Sequence, residues 1–200
     1  MKVVSVTTTL DEKEYLVIRE NNSKFRASAN VLFKYEIAPG KDLSTEEIKK
    51  IKSNASEDRL FNALVRLITG RLKTEFEVIQ YLKRKNVDED KISSYLDKLK
   101  DLNLLDDKKY VESFVHDQNL KSPISKTKLI FKLRAKGINK DIIEEYFKDN
   151  TLDEQQSLKK LIEIKRRQSK YKDNLKLKAY LVRNGFNYSE VNKAMGELDQ

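Results

Sequence analysis

Residues 128–143 read Lys-Leu-Ile-Phe-Lys-Leu-Arg-Ala-Lys-Gly-Ile-Asn-Lys-Asp-Ile-Ile: a helix, a turn and the start of another helix. Leu129 and Leu133 stand one turn apart on a single helical face. Gly137 suits the left-handed residue that closes a helix, and Asn139 suits the cap of the next. Ile138 and Ile143 flank that cap at the spacing of a hydrophobic staple. The pattern recurs in residues 77–92 (EVIQYLKRKNVDEDKI) and 176–191 (KLKAYLVRNGFNYSEV). With Leu82, Leu133 and Leu181 superposed, Val78, Leu129 and Leu177 lie one turn earlier. Asn86, Gly137 and Gly185 lie four later, followed by Val87, Ile138 and Phe186, then Asp88, Asn139 and Asn187. Ile92, Ile143 and Val191 close the staples, and Leu96, Phe147 and Met195 continue the apolar stripe. Seven aligned positions at spacings of 51 and then 48 residues mark a tandem repeat.

A further apolar helix precedes each pair: Leu60/Ala63/Leu64/Leu67, then Tyr110/Val111/Phe114/Val115, then Leu158/Leu161/Ile162. The pattern predicts a mainly α chain of three tandem three-helix repeats, stacked as a quasi-linear array because each buries too little alone. The repeats fall at 55–107, 108–153 and 154–200. Residues 1–54 differ: Val4/Val6, Tyr15/Val17 and Phe25/Ala27 show the strand period, with breaks at Leu10-Asp11-Glu12 and Glu20-Asn21-Asn22-Ser23. Three short strands are expected, then a Pro39-Gly40 break. Ser44 and Glu47 form a capping box between Leu43 and Ile48, starting a short helix over about 44–53.

The inventory argues against an enzyme. Cysteine is absent, and His116 is the only histidine, expected to be structural or exposed. The five glycines stand singly, so no phosphate-cradling loop and no G-x-S-x-G elbow exists. Asp106-Asp107 could be a metal-binding pair, but the helical pattern that follows favours capping. No cofactor is expected. No apolar run is long enough to span a membrane, and the N-terminus lacks the apolar core of a signal peptide. A cytoplasmic monomer is the expectation.

Net charge is +9, from 41 Lys and Arg against 32 Asp and Glu, which favours an anionic partner. Residues 118–140 carry seven basic side chains and no acid, and residues 155–183 carry ten against Glu163 and Asp173. Helix-end preferences explain Lys83, Arg84 and Lys85 before Asp88-Glu89-Asp90, but not runs of that length. Equivalent helices in a stacked array line up, so these cations are expected to form a stripe. Its candidate members are Lys126, Lys128, Lys132, Arg134 and Lys136 in the middle repeat. In the last repeat they are Lys165, Arg166, Arg167, Lys170, Lys172 and Lys176. Arg71 and Lys83 to Lys85 are weaker members.

These residues resemble the RecX family, bacterial regulators of the RecA recombinase, over nearly the whole length. The resemblance rests on Ala63-Leu64-x-x-Leu67 running to Arg71 and Glu75, and on Tyr81-Leu82-x-x-Lys85. It rests also on Leu104-Leu105-Asp106-Asp107-x-x-Tyr110 and on Leu133-x-x-Lys136-Gly137-Ile138 followed by Ile142 or Ile143. Asn86 departs from the glycine usual in the family, and Gln118 lies near a position that commonly carries arginine. The resemblance implies an elongated, curved array that binds RecA filaments on single-stranded DNA. It also implies restraint of filament growth, ATP hydrolysis, strand exchange and co-protease activity in DNA repair and the SOS response. Two other readings fit the residues: a helix-turn-helix-like protein reading duplex DNA, and a helical scaffold for another acidic protein.

Overall fold

The computed structural model describes residues 1–9 and 14–198, so the expected break at Leu10-Asp11-Glu12 lies outside the described residues. The chain divides into two compact units, Met1–Gly70 and Arg71–Gln200.

The first unit begins with three strands, β1 (Val3–Thr8), β2 (Tyr15–Arg19) and β3 (Lys24–Ala27). They form an antiparallel sheet with β2 central, where Val17 faces Val6 on one side and Phe25 on the other. Val17, Phe25 and Ala27 alternate into the core as the strand period predicts. In β1 a register shift between Val3 and Ser5 breaks the alternation, so Val3 is buried and Val4 exposed. After the short helix α1 (Ala29–Lys34), the chain enters α2 (Thr45–Gly70). The capping box forms: the Glu47 N–H donates to Ser44 Oγ at 3.1 Å, and the Ser44 N–H donates to the Glu47 carboxylate at 2.7 Å. Ile48, Ile51 and Ala55 join the sheet's apolar face, with Val31, Ile37 and Leu43, in one core. The helix does not stop near residue 53. It runs 26 residues, because nothing between Gly40 and Gly70 breaks it.

The second unit is helical throughout: α3 (Glu75–Arg84), α4 (Glu89–Asp101), α5 (Asp107–Lys121), α6 (Lys126–Ala135), α7 (Lys140–Asp149), α8 (Glu154–Arg166), α9 (Asn174–Arg183) and α10 (Tyr188–Leu198). The tandem helical repeat is present, α5 to α7 and α8 to α10 each forming a three-helix unit and α3 with α4 the last two helices of the first. Helices α3, α6 and α9 are equivalent, and so are α4, α7 and α10. Each middle helix ends in the same way. The N–H of Val87, Ile138 and Phe186 returns to the carbonyl of Leu82, Leu133 and Leu181 respectively. The residue between, Asn86, Gly137 or Gly185, has φ of 55°, 76° or 88°. Leu129, Leu133, Ile143, Phe147, Val111 and Val115 make the core of the second repeat. Leu158, Leu161, Leu177, Leu181, Val191 and Met195 make that of the third.

Consecutive repeats join at equivalent positions. Thr74, which caps α3 and is fully buried, accepts from the Glu77 N–H at 3.1 Å and donates its hydroxyl proton to the Lys136 carbonyl at 2.8 Å. Ser125, which caps α6 and is equally buried, stands against the end of α9, its N–H directed at the Asn184 carbonyl. Helices α3 and α6 thus each set an N-terminus on the C-terminus of the next repeat's middle helix. Gly137 and Gly185 make this approach possible: a Cβ there would overlap Phe76 and Ser125 respectively.

Candidate functional site

The cations of α6 separate into two rows, each at four-residue spacing. One row, Lys128, Lys132 and Lys136, is engaged within the chain. Lys128 Nζ donates to Asn184 Oδ1 at 2.7 Å and to the Arg183 carbonyl at 3.3 Å. Lys132 Nζ donates to Gln118 Oε1 at 2.9 Å, and burial, then the charge of Lys128, holds its ammonium below the usual lysine range. Gln118 answers with an acceptor that an arginine would not have. Lys136 Nζ pairs with Glu77 at 2.7 Å. Burial pushes the Glu77 carboxyl up, but the bonds from Lys136 and the Thr74 N–H outweigh it and leave it below the ordinary range. The bond to Glu77 holds Lys136 above its own. Three of the five middle-repeat cations expected to face a partner therefore brace the fold, since helical periodicity turns them toward neighbouring helices.

The other row, Lys126, Ile130 and Arg134, faces α7. With Lys140, Ile143, Glu144, Phe147 and Lys148 it lines a groove of about 360 Å³. Ile143 and Phe147 are buried and supply an apolar floor, and Lys126 Nζ lies 5.2 Å from the Phe147 ring centre. Lys140 pairs with Glu144 at 3.3 Å, both well exposed, which leaves a net charge of +3 from four cations and one acid. The α6 backbone beneath is fixed: the Lys128 N–H donates to Ser125 Oγ at 3.2 Å and the Lys126 N–H to the Glu154 carboxylate at 2.6 Å. Such a groove attracts an anionic surface and offers it apolar contact.

The groove belongs to the second repeat. Where it carries Lys126, Arg134, Lys140 and Lys148, the first repeat carries Glu75, Lys83, Glu89 and Asp97, and the third Asn174, Val182, Tyr188 and Gly196. Lys140 and Lys148 stand outside the candidate stripe, yet they complete the site. Their signal is spacing: 126 to 134 and 140 to 148 are each two turns apart on facing helices.

The remaining candidates are dispersed. Lys83 pairs with Glu89 at 3.0 Å and Lys85 lies over Tyr81, while Arg84 is exposed. In the third repeat Lys165 lies 4.9 Å from the Tyr180 ring and 5.7 Å from Tyr171, with Lys170 also over Tyr171. Lys176 pairs with Asp173 at 3.7 Å, Arg167 and Lys172 are exposed, and Arg166 is half-buried. Arg71 is exposed beside a separate cleft. His116 is exposed.

Asp106 and Asp107 are both caps. Asp106 accepts from the N–H groups of Lys108 and Lys109 at the start of its own helix. Asp107 accepts the Glu75 N–H, at the start of α3, at 2.9 Å. Burial, with the nearby Glu75 and Asp106 charges, holds the Asp107 carboxyl above the ordinary range against the pull of that N–H and of Lys100. Among the described residues no group of three or more His, Asp or Glu side chains is placed to hold a metal ion, and no helix is long and apolar enough to cross a membrane.

Fold and groove together define a tandem three-helix-repeat protein with a cationic groove in its second repeat. The family model for RecX, first three-helix domain, matches residues 61–99, and that for RecX, second three-helix domain, matches residues 106–146. The regulatory protein RecX of Clostridium botulinum (strain Eklund 17B) is 31% identical over 188 residues, covering 90% of this chain and 88% of the relative. That of Bacillus subtilis (strain 168) is 24% identical over 198 residues, covering 96% and 75%. A crystal structure of regulatory protein RecX shares the fold over 98% of both chains, with a TM-score of 0.69 at 20% identity. The crystal structure of RecX from Lactobacillus salivarius covers 71% of this chain and 96% of its own, with a TM-score of 0.58 at 28% identity. The chain belongs to the RecX family of regulatory proteins.

Proposed function

We propose that this protein regulates the RecA recombinase by binding the RecA filament on single-stranded DNA. There it restrains filament growth, ATP hydrolysis, strand exchange and co-protease activity. It acts in the cytoplasm without a cofactor or catalysis of its own. Family membership supports the regulatory role, and the cationic groove of the second repeat is the observation that carries the binding step. Four positive side chains over an apolar floor complement an acidic protein face or exposed phosphates. The test is RecA ATP hydrolysis on single-stranded DNA with rising amounts of this protein, together with co-sedimentation on the filaments. Hydrolysis is expected to slow at or below equal amounts, with the protein in the pellet. Unchanged hydrolysis with the protein left in the supernatant overturns the reading.

A further inference from the structure

A cleft of about 320 Å³ lies beside α5, apart from the groove. Tyr110 and Phe114, one turn apart on that helix, line it with rings parallel to within 14° and centroids 6.1 Å apart. Leu72, 48% exposed, adds to its apolar lining. Its charged lining is Arg71 and Lys121 against Asp117. Arg71 is exposed and no side chain or carbonyl of the described residues pairs with it, whereas Lys121 holds Asp117 at 3.4 Å. Gln118 is committed to Lys132 and to the Ser122 carbonyl, so it is a fixed wall.

The half-buried Phe114 ring, an unpaired guanidinium and a carboxylate restrict the occupant. An acidic peptide answers Arg71 but lays no planar base on Phe114, and a neutral one leaves Arg71 unanswered. A nucleotide satisfies all three: a planar base stacks on aromatic rings, a phosphate accepts from arginine, and an exocyclic amine donates to a carboxylate, which accepts only. We propose that this cleft binds one nucleotide. Its base lies against Phe114, whose ring the buried Tyr110 supports, its amine donates to Asp117, and its phosphate rests on Arg71 with Lys121 beside it. Bases with an exocyclic amine (adenine, cytosine, guanine) are therefore preferred over uracil and thymine. The ligand is either a free mononucleotide or one unit of a single strand. The inference does not depend on the RecA reading, because its test uses the full chain and ligand alone.

The experiment is calorimetry with AMP, CMP and UMP, in parallel with fluorescence anisotropy of labelled oligodeoxyadenylate and oligodeoxythymidylate. Saturable one-to-one binding is expected, with AMP and CMP ahead of UMP, or oligodeoxyadenylate ahead of oligodeoxythymidylate. Binding in the first arm identifies a free nucleotide, and binding in the second alone identifies a strand. Phe114→Leu keeps apolar volume but removes the stacking face, and weakens binding about tenfold. Arg71→Gln, at an exposed position with no hydrogen bond or ion pair to lose among the described residues, weakens it severalfold, and Asp117→Asn levels the preference among bases. Neutralising Lys126, Arg134, Lys140 and Lys148 leaves the base preference intact. Failure of both arms, or binding indifferent both to base and to Arg71→Gln, overturns the proposal. So does competition by polyglutamate that tracks Arg71, which assigns the cleft to an acidic peptide.

Discussion

At φ 76°, Gly137 occupies the left-handed region, as Asn86 does at 55° in the equivalent turn. The turn itself therefore accepts either residue, since asparagine visits that region at low cost. What differs is the neighbour. A Cβ on Gly137 would overlap Phe76 across the joint between repeats, and one on Gly185 would overlap Ser125. Glycine thus serves the close approach of the neighbouring repeat as well as the turn, and Asn86 stands where the sequence pattern has no earlier middle helix. Read from sequence, the three positions looked alike, because capping is local and the approach is not. Gly137→Asn keeps the turn and breaks the joint, and is expected to cost about 1–3 kcal/mol through overpacking. Asn86→Gly is expected to change stability by less than about 1 kcal/mol. Urea unfolding of both variants measures the difference. Adding Phe76→Ala to Gly137→Asn should recover part of the loss, relative to Phe76→Ala alone, because it empties the contested space.

Helix ends carry the next level of organisation, and here the chain solves two problems with adjacent residues. Asp106 caps α5, while Asp107 reaches the first N–H of α3, so one dipeptide fixes two helices. The sequence favoured capping for both. It could not show that the second aspartate serves another helix, because 32 residues separate Asp107 from Glu75. The end of α2 was equally hidden: a capping box marks where a helix starts and carries no information on where it stops. For Asp107 the sign of the pH dependence follows from its carboxyl lying above the ordinary value. Below the unfolded pKa of about 3.9 it is protonated in both states and contributes no difference. As pH rises through the folded value, ionisation becomes harder in the folded state than in the unfolded, so stability falls. Asp107→Asn keeps an oxygen for the Glu75 N–H and removes the buried charge. At pH 7 it should match or exceed the parent in urea midpoint, and the gap should close as pH approaches about 3.5. Asp107→Ala loses the acceptor altogether and should cost about 1 kcal/mol at about pH 3.5, and less at pH 7, where the parent carries the buried charge.

Across the second unit, the charge surplus resolves into two uses with different consequences. The run of cations from residue 118 to 140 was legible as a run, and its composition pointed to an anionic partner. Its division was not legible, because which row of α6 turns inward depends on where Gln118, Asn184 and Glu77 come to lie. Those partners are 14, 56 and 59 residues away from the lysines they bind. Two substitution sets separate the uses. Changing Lys128, Lys132 and Lys136 to glutamine removes hydrogen bonds that brace α6 against α5 and its neighbours, at about 0.5–1.5 kcal/mol each. At roughly 2–4 °C per kcal/mol for a chain of this size, the melting temperature should fall by several degrees. Changing Lys126, Arg134, Lys140 and Lys148 to glutamine alters an exposed groove, where substitutions stay within about 0.5 kcal/mol, so the melting temperature should hardly move. Co-sedimentation with RecA filaments should show the reverse order. The groove set should lose most binding at moderate salt, while the bracing set, assayed well below its melting temperature, should retain most of it. If both sets lose binding in proportion to net charge alone, the surplus acts as a diffuse field and the groove has no special standing. If only the bracing set loses it, the partner reads the joints between repeats, and the exposed row of α6 is a solvated face.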